Sequence, residues 1–463
     1  MTDYLTEVAE FAAEFRAEDL PAATVDRTKL IVADSVAAIV GGAAEPEIGA
    51  LTARLSRTSN GGSIVMGTGE TVDPAVAALL NGSAGTFLEM DEGNQFCKGH
   101  PGMHTIPATY AASAGRTVSG PAFLAAVTIG YEVGARVGIA TNLRPAMHPH
   151  GTWGAICAAV GVGRLSGFDA PQMRTLLNIG SNMCLATSRP TMLEGGTVRN
   201  MYAGIAGQLG TLACHLVAAG FTGERDGIAN VFGRVVSDTF SQAAMTERLG
   251  DRWEVARNYF KLHSCCRYNH AALDALAIIS ERHGRVCEPS NIARIDVTTY
   301  SLAAELDNQG PANTLAAKFS VPFAVATTIF NGSSEVASFT WDAVRNPAIQ
   351  DLAKRVFVSE DPAMSAKLPE ARPAAIAVTL QDGSVLEAST ETNRGDWRDP
   401  YTESELRGKY DSLTTRLWDK KNSDAVYREI MNLDQAASLG PLAERMAQAD
   451  RSIKISAKDQ DHD

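Results

Sequence analysis

The chain is expected to be mainly α-helical, with a large all-α portion, a smaller α+β portion after it, and helices again at the end. Three observations point that way. Up to about Gly250, apolar residues recur at helical spacing on faces rich in Ala, Gly and Ser. After His270 the texture changes to alternation with β-branched residues, and from Thr402 the helical period returns and runs to Ala447. At 463 residues, 45% hydrophobic and 20% charged, the chain is long enough for two or three domains around a large core.

The elements follow in order. Val25 to Val40 places Ile31, Val32, Val36 and Ile39 on one buried face, with Asp34 and Ser35 as polar exceptions inside it. Ala75 to Leu88, Pro121 to Thr141, Thr152 to Leu165, Pro171 to Thr187 and Met201 to Ala219 continue the pattern. Gly167 and Gly220 stand where a left-handed helix cap carries little strain. Ile292 to Tyr300 alternates as a strand does. Ala375 to Leu380 and Val385 to Ala388, joined through Asp382-Gly383, read as a hairpin. Helical runs at Phe319 to Phe330 and Asn346 to Val356 separate these strands, and the polar last dozen residues are expected to fray.

A formal net charge of -12 argues against nucleic acid, which demands a basic surface to displace counterions, but it permits a local cationic pocket for a small anion. Seven scattered cysteines form no disulfide framework. Met1 to Glu10 is acidic and amphipathic rather than a secretory or transit signal, so a cytoplasmic location is expected. The longest apolar stretches are broken before the roughly 20 residues that span a bilayer, and no membrane segment is expected.

The densest polar segment runs from Glu89 to His104, between the nearly uncharged runs Pro74 to Leu88 and Thr105 to Ala114. Such flanks predict a loop that dips toward the core. Pro101-Gly102 is expected to turn the backbone before a helix begins, displaying polar groups where a helix dipole favours an anion. Downstream, His148 and His150 flank Pro149, and Gly151-Thr152 is expected to open a helix whose free amides could hold a carboxylate. Arg199 follows the flexible run Glu194-Gly195-Gly196, and its guanidinium suits two-pronged anchoring of a carboxylate. If extended, the segment from Lys261 would present Lys261, His263, Cys265 and Arg267 on one face, with Asn269 capping a helix that begins at His270. His263, Cys265, Cys266 and His270 are ligand types without a spaced pair, so no metal is expected and Cys266 reads as a buried thiol.

Four stretches share a pattern: Leu88-Glu89-Met90-Asp91 with His100-Pro101-Gly102; Met147-His148-Pro149-His150-Gly151-Thr152-Trp153-Gly154; Thr197-Val198-Arg199-Asn200-Met201-Tyr202-Ala203-Gly204; and Lys261-Leu262-His263-Ser264-Cys265-Cys266-Arg267-Tyr268-Asn269-His270. Together they resemble boxes of the MmgE/PrpD family, whose members include 2-methylcitrate dehydratase, cis-aconitate decarboxylase and iminodisuccinate epimerase. The resemblance implies a discontinuous helical body, residues 1–262 and 395–463, with residues 263–394 inserted as an α+β lid. It also implies a homodimer and an acid/base lyase that works without metal or cofactor on a small di- or tricarboxylate.

Catalysis would rest on His100 as the acid/base, Lys261 as its partner or as enolate stabiliser, His148 as a second imidazole, and Asp91 orienting the cations. Lys98, Asn94, Arg199, His263, Arg267 and Phe323 would line the substrate. Proton removal beside a carboxylate builds charge that fixed cations stabilise. Dehydration is the expected outcome, with epimerisation and decarboxylation as alternatives through the same carbanion. A catalytically silent carboxylate-binding paralogue would have lost these groups, and most are kept. Three departures stand out: Arg199 where the family usually has Lys, Phe323 where Tyr is frequent, and Glu92-Gly93-Asn94 in place of Asp-Asp-Thr. The last two remove hydroxyls from the expected rim and predict a substrate other than 2-methylcitrate.

Overall fold

A computed structural model describes residues 3–283 and 288–448; the last dozen residues, expected to fray, lie outside the described residues. The fold is mainly α-helical. Helices Ala22–Ala43, Pro74–Phe87, Gly120–Ala140, Gly154–Leu165 and Tyr202–Ala218 lie close to their expected spans. Their Gly- and Ala-rich faces let them pack tightly, and Ala22–Ala43 buries sixteen of its residues. The helix expected to run from Pro171 to Thr187 ends at Ser181, and the chain beyond is irregular as it approaches Gly151 and His148. Gly120–Ala140 is long and apolar enough to cross a membrane, yet 89% of its apolar window is buried in the protein; for Thr197–Ala218 the figure is 50%.

Two hydrophobic cores organise the molecule. The first gathers side chains from Leu5 through Phe260 and again from Tyr401 through Met446. The second gathers residues from Cys265 through Ala388, joined by Met192. Thus the helices Glu403–Thr414 and Lys420–Met431 pack back onto the first core. Their return is fixed partly by charge: Lys409 Nζ donates to Asp34 Oδ1 and to the Met90 carbonyl, both at 2.5 Å. Asp34, a polar exception inside its helix, therefore has a buried partner, and removing one member of such a pair costs about 3–5 kcal/mol.

In the second core, the helices Arg267–His283 and Val321–Asn331 pack with a four-stranded sheet of order Val385–Thr390, Ala374–Leu380, Ile292–Thr299, Val356–Glu360. The hairpin is antiparallel, with Val385 opposite Thr379, and Ile292–Thr299 runs parallel to Val356–Glu360, with Ile295 opposite Val356. The helix expected up to Val356 stops at Ala353, because the chain turns there to enter this edge strand.

Candidate active site

The site is built around the loop after the helix Pro74–Phe87. Glu89 and Lys98 both adopt positive φ, +55° and +60°, a left-handed conformation that costs a non-glycine residue about 1–2 kcal/mol and folds the loop back on itself. Gly93–Asn94 pairs antiparallel with Asn258–Tyr259, and Asn94 also bridges to Gly99. The loop dips inward as its flanks predicted: Glu89, Asp91, Glu92, Asn94 and Gln95 are all buried. The turn before the next helix is made by Gln95 to Lys98, not by Pro101-Gly102. Pro101 is itself the first residue of that helix, since a fixed φ and a missing N–H suit that position. Glu92 Oε1 accepts the Gly102 N–H at 2.8 Å, so close that a Cβ on residue 102 would sit 2.6 Å from that oxygen.

His100 stands immediately before this helix. Its Nδ1 lies 2.6 Å from the Glu92 carbonyl oxygen and 3.0 Å from Asp91 Oδ2. Both neighbours only accept, so Nδ1 carries a proton and Nε2 is the nitrogen left to exchange one with a ligand. Behind it runs a chain of charges. Lys261 Nζ is 3.3 Å from Asp91 Oδ1 and 3.4 Å from Glu89 Oε2, and Arg199 Nη1 donates to Glu89 Oε1. Burial pushes Asp91 upward, but His100, Lys261 and Arg199 outweigh it and hold the carboxyl below its usual range. Lys261 is the mirror case: burial lowers it, and Asp91 with Glu89 raises it above the usual lysine value.

The other imidazoles have defined tautomers. His148 Nδ1 accepts the His150 N–H at 3.0 Å, which leaves the proton on Nε2. Burial, then the nearby Arg199 and His100, push His148 well below its usual range, so the ring is a neutral donor. His104 places Nδ1 2.8 Å from the His100 carbonyl and accepts the Gly151 N–H on Nε2 at 3.3 Å. The His150 ring lies tilted with its centre 4.4 Å from that of His100, and both its buried nitrogens lack protein partners. Burial pushes it well down too.

These groups meet at one partly open cavity. His100, His148, His150, Glu89, Lys98, Arg189 and Arg199 border it from segments of the first core; Arg267, Tyr268, Phe319 and Arg372 border it from the other side. Of the ten residues expected from sequence, five therefore line the cavity: Lys98, His100, His148, Arg199 and Arg267. Asp91 and Lys261 stand directly behind, where Lys261 contacts carboxylates rather than the cavity, a positioning place and not that of a proton-transfer partner. Arg267 spends its Nη atoms on the carbonyls of Phe260, Asn393 and Arg394, so it braces the wall.

Three expected substrate contacts are corrected. Asn94 points into its own loop, donating to the Glu254 carbonyl and accepting from the amides of Phe96 and Cys97. His263 is held between Ser334 and Asp274. Phe323 is fully buried in the second core against Phe339. The segment from Lys261 is irregular rather than extended, so Lys261, His263, Cys265 and Arg267 share no face; the helix begins at Arg267, and Asn269 lies inside it, bonded to the Lys318 carbonyl. Gly151-Thr152 opens no helix: the first turn starts at Gly154 and the Gly151 amide is taken by His104. Because neither Phe323 nor Asn94 reaches the cavity, their departures say nothing about the substrate. Arg199 does reach it.

Glu89, His150, Arg189 and Arg372 were not singled out as site residues. Glu89 is an acid of the first box and His150 lies in the second, so a signal existed for both; Arg189 and Arg372 sit in no pattern. Donor atoms of Asp91, His100 and His150 lie within 4.8 Å of one another, a trio that a divalent ion could span. Lys261 beside Asp91, and Arg199 at the same cavity, give the site a surround that favours an anion instead.

Comparison with known proteins identifies the family. The MmgE/PrpD N-terminal domain matches residues 6–245 and the MmgE/PrpD C-terminal domain matches residues 263–435. The chain is 22% identical to a cis-aconitate decarboxylase of Aspergillus terreus, over 95% of each chain. It is 23% identical to the cis-aconitate decarboxylase-like protein oryM of Aspergillus oryzae, over 94% of this chain and 95% of that one. Against the Mus musculus cis-aconitate decarboxylase it is 22% identical, over 86% and 85%. Two family domains spanning nearly the whole described chain, with their boxes converging on one cavity, establish that the chain belongs to the MmgE/PrpD family.

Proposed function

We propose that this protein is a lyase that acts on a small di- or tricarboxylate by moving a proton at the carbon beside a carboxylate. One observation carries the reading: two imidazoles with opposite tautomers border one cavity, an accepting Nε2 on His100 backed by Asp91 and a donating Nε2–H on His148. In the forward step His100 Nε2 takes the proton and the electron pair passes to the carboxylate as an enediolate. The neutral His148 and the Arg199 guanidinium act on that charge as fixed donors. The C–O bond then breaks, and His100 returns its proton to the departing hydroxide, giving water and an alkene.

Decarboxylation is the second reading, favoured by the names of the relatives. There a protonated His100 delivers its proton to the carbon from which the carboxylate leaves as carbon dioxide. Epimerisation receives the least support, because return to the opposite face needs a second acid, and both His148 and His150 are held neutral. Proton NMR in D2O on a panel of hydroxy and unsaturated di- and tricarboxylates separates the outcomes. New alkene signals mean dehydration, carbon dioxide release means decarboxylation, and deuterium wash-in without net change means epimerisation. No turnover and no wash-in across the panel would defeat the proposal.

Residues 263–394 serve in this proposal as a lid over a helical body, supported by the two separate cores and by a cavity whose wall draws on both. Hydrogen exchange at the segment from Arg267 should slow on adding tricarballylate; unchanged exchange there would count against a lid.

A further inference from the structure

Charge balance divides the cavity wall. Arg199 is matched by Glu89, and Arg189 by Glu305 at 2.6 Å. Lys98, Arg267 and Arg372 also border the cavity, and among the described residues none has a carboxylate within 4.0 Å; Arg267 gives its Nη atoms to three backbone carbonyls, which leaves Lys98 and Arg372 the least satisfied. Arg372 is only 5% exposed, lies over the Tyr268 ring at 5.3 Å, gives an Nη2–H to the Gln95 carbonyl at 3.3 Å, and leaves its buried Nε without a partner. A guanidinium stays charged at any ordinary pH, so burying one without a counter-ion is costly unless something else supplies the anion.

Lys98 lines the same space from a residue in left-handed backbone conformation. Gln95, three residues earlier, ties this loop to the segment carrying Arg372 twice: its Nε2 donates to the Glu370 carbonyl at 3.2 Å, and its own carbonyl accepts from Arg372. Burial, then the like charge of Arg372, draw the Lys98 ammonium below its usual range, as expected for two neighbouring cations lacking an anion.

We infer that Lys98 and Arg372 form an anion subsite for a second, non-reacting carboxylate of the substrate, separate from the Arg199–Glu89 pair. It rests on the polycarboxylate reading above and adds which end of the ligand is held where. A carboxylate there would offer one oxygen to Arg372 Nε–H and the other to Lys98 Nζ, fixing the ligand's orientation before His100 acts.

The test is calorimetric titration of the full chain with tricarballylate and, separately, propanoate, on wild type, Lys98→Met, Arg372→Met, Arg372→Lys and Arg199→Met. Near-UV circular dichroism checks each fold. The subsite predicts a Kd for tricarballylate at least tenfold higher in Lys98→Met and Arg372→Met, with propanoate changed less than twofold and Arg372→Lys recovering part of the loss. Should Arg372→Met fail to fold, Lys98→Met decides, since Lys98 belongs to neither hydrophobic core. Tricarballylate binding within twofold of wild type in Lys98→Met, or an equal loss for both ligands, overturns the subsite alone. Failure of wild type to bind tricarballylate at all overturns the polycarboxylate reading itself.

Discussion

Replacing Asp91 by Asn separates the chemical from the structural role of the buried carboxylate. Asp91 lies 3.0 Å from His100 Nδ1 and 3.3 Å from Lys261 Nζ. At 3.3 Å, with an effective dielectric of about 20, the attraction to Lys261 is about 5 kcal/mol before desolvation is counted. Glu89 stays within 3.4 Å of the same ammonium and the amide oxygen can still accept, so the stability loss should fall near the low end for a broken buried pair, about 3 kcal/mol. Catalysis should suffer separately. Losing the carboxylate removes the charge that stabilises the His100 imidazolium, while the Glu92 carbonyl still holds Nδ1–H, which predicts a fall in kcat of about 10³-fold, or about 4 kcal/mol. The assay is turnover of the substrate found in the NMR panel, per mole of folded enzyme, at a temperature where circular dichroism shows the variant native. A folded Asp91→Asn enzyme that keeps more than a tenth of wild-type kcat would refute the dyad.

Other outcomes follow from the same geometry. Arg199→Lys keeps the charge but loses the planar fork and the contact with the Phe319 ring, so KM should rise about tenfold while kcat stays within about threefold; the reverse pattern would mean that Arg199 moves protons. Phe323→Tyr should leave KM within about twofold and lower stability by about 2 kcal/mol, because its hydroxyl would be buried in the second core; a marked gain in affinity would return residue 323 to the substrate rim. Burial raises Glu92 from the ordinary 4.5 to about 8, so the native state holds a proton that the unfolded chain releases. Stability from this group is whole below pH 4.5 and drains away as pH climbs through 8. Glu92→Gln should flatten the fall across that window by up to about 1.4 kcal/mol per pH unit in denaturant titrations, and an unchanged slope would show Glu92 ionised in the native protein.

The helical body was legible because small apolar residues at helical spacing leave little choice about which face is buried. The hairpin was legible because Asp382-Gly383 dictates its turn. Val356–Glu360 was not: it is an edge strand with mostly solvent-facing side chains, and carries no alternation to read. Residue type and clustering located the imidazoles and cations, but not the direction of each side chain. Asn94 and His263 lie within a few residues of true lining groups and point elsewhere, since the left-handed turns at Glu89 and Lys98 and the irregular segment after Tyr259 set directions that spacing does not encode. Arg372 was invisible for a different reason. Its burial is decided by Gln95, 277 positions away, and by the ring of Tyr268, contacts that only the folded chain brings together.

The central claim is the opposition of two tautomers across one cavity, and ¹⁵N NMR of histidine-labelled protein at neutral pH measures it directly, with His100→Gln and His148→Gln assigning the signals. The account predicts protonated Nδ1 with bare Nε2 for His100, and bare Nδ1 with protonated Nε2 for His148. Finding the proton on Nε2 of His100, or both rings in one tautomer, would contradict it.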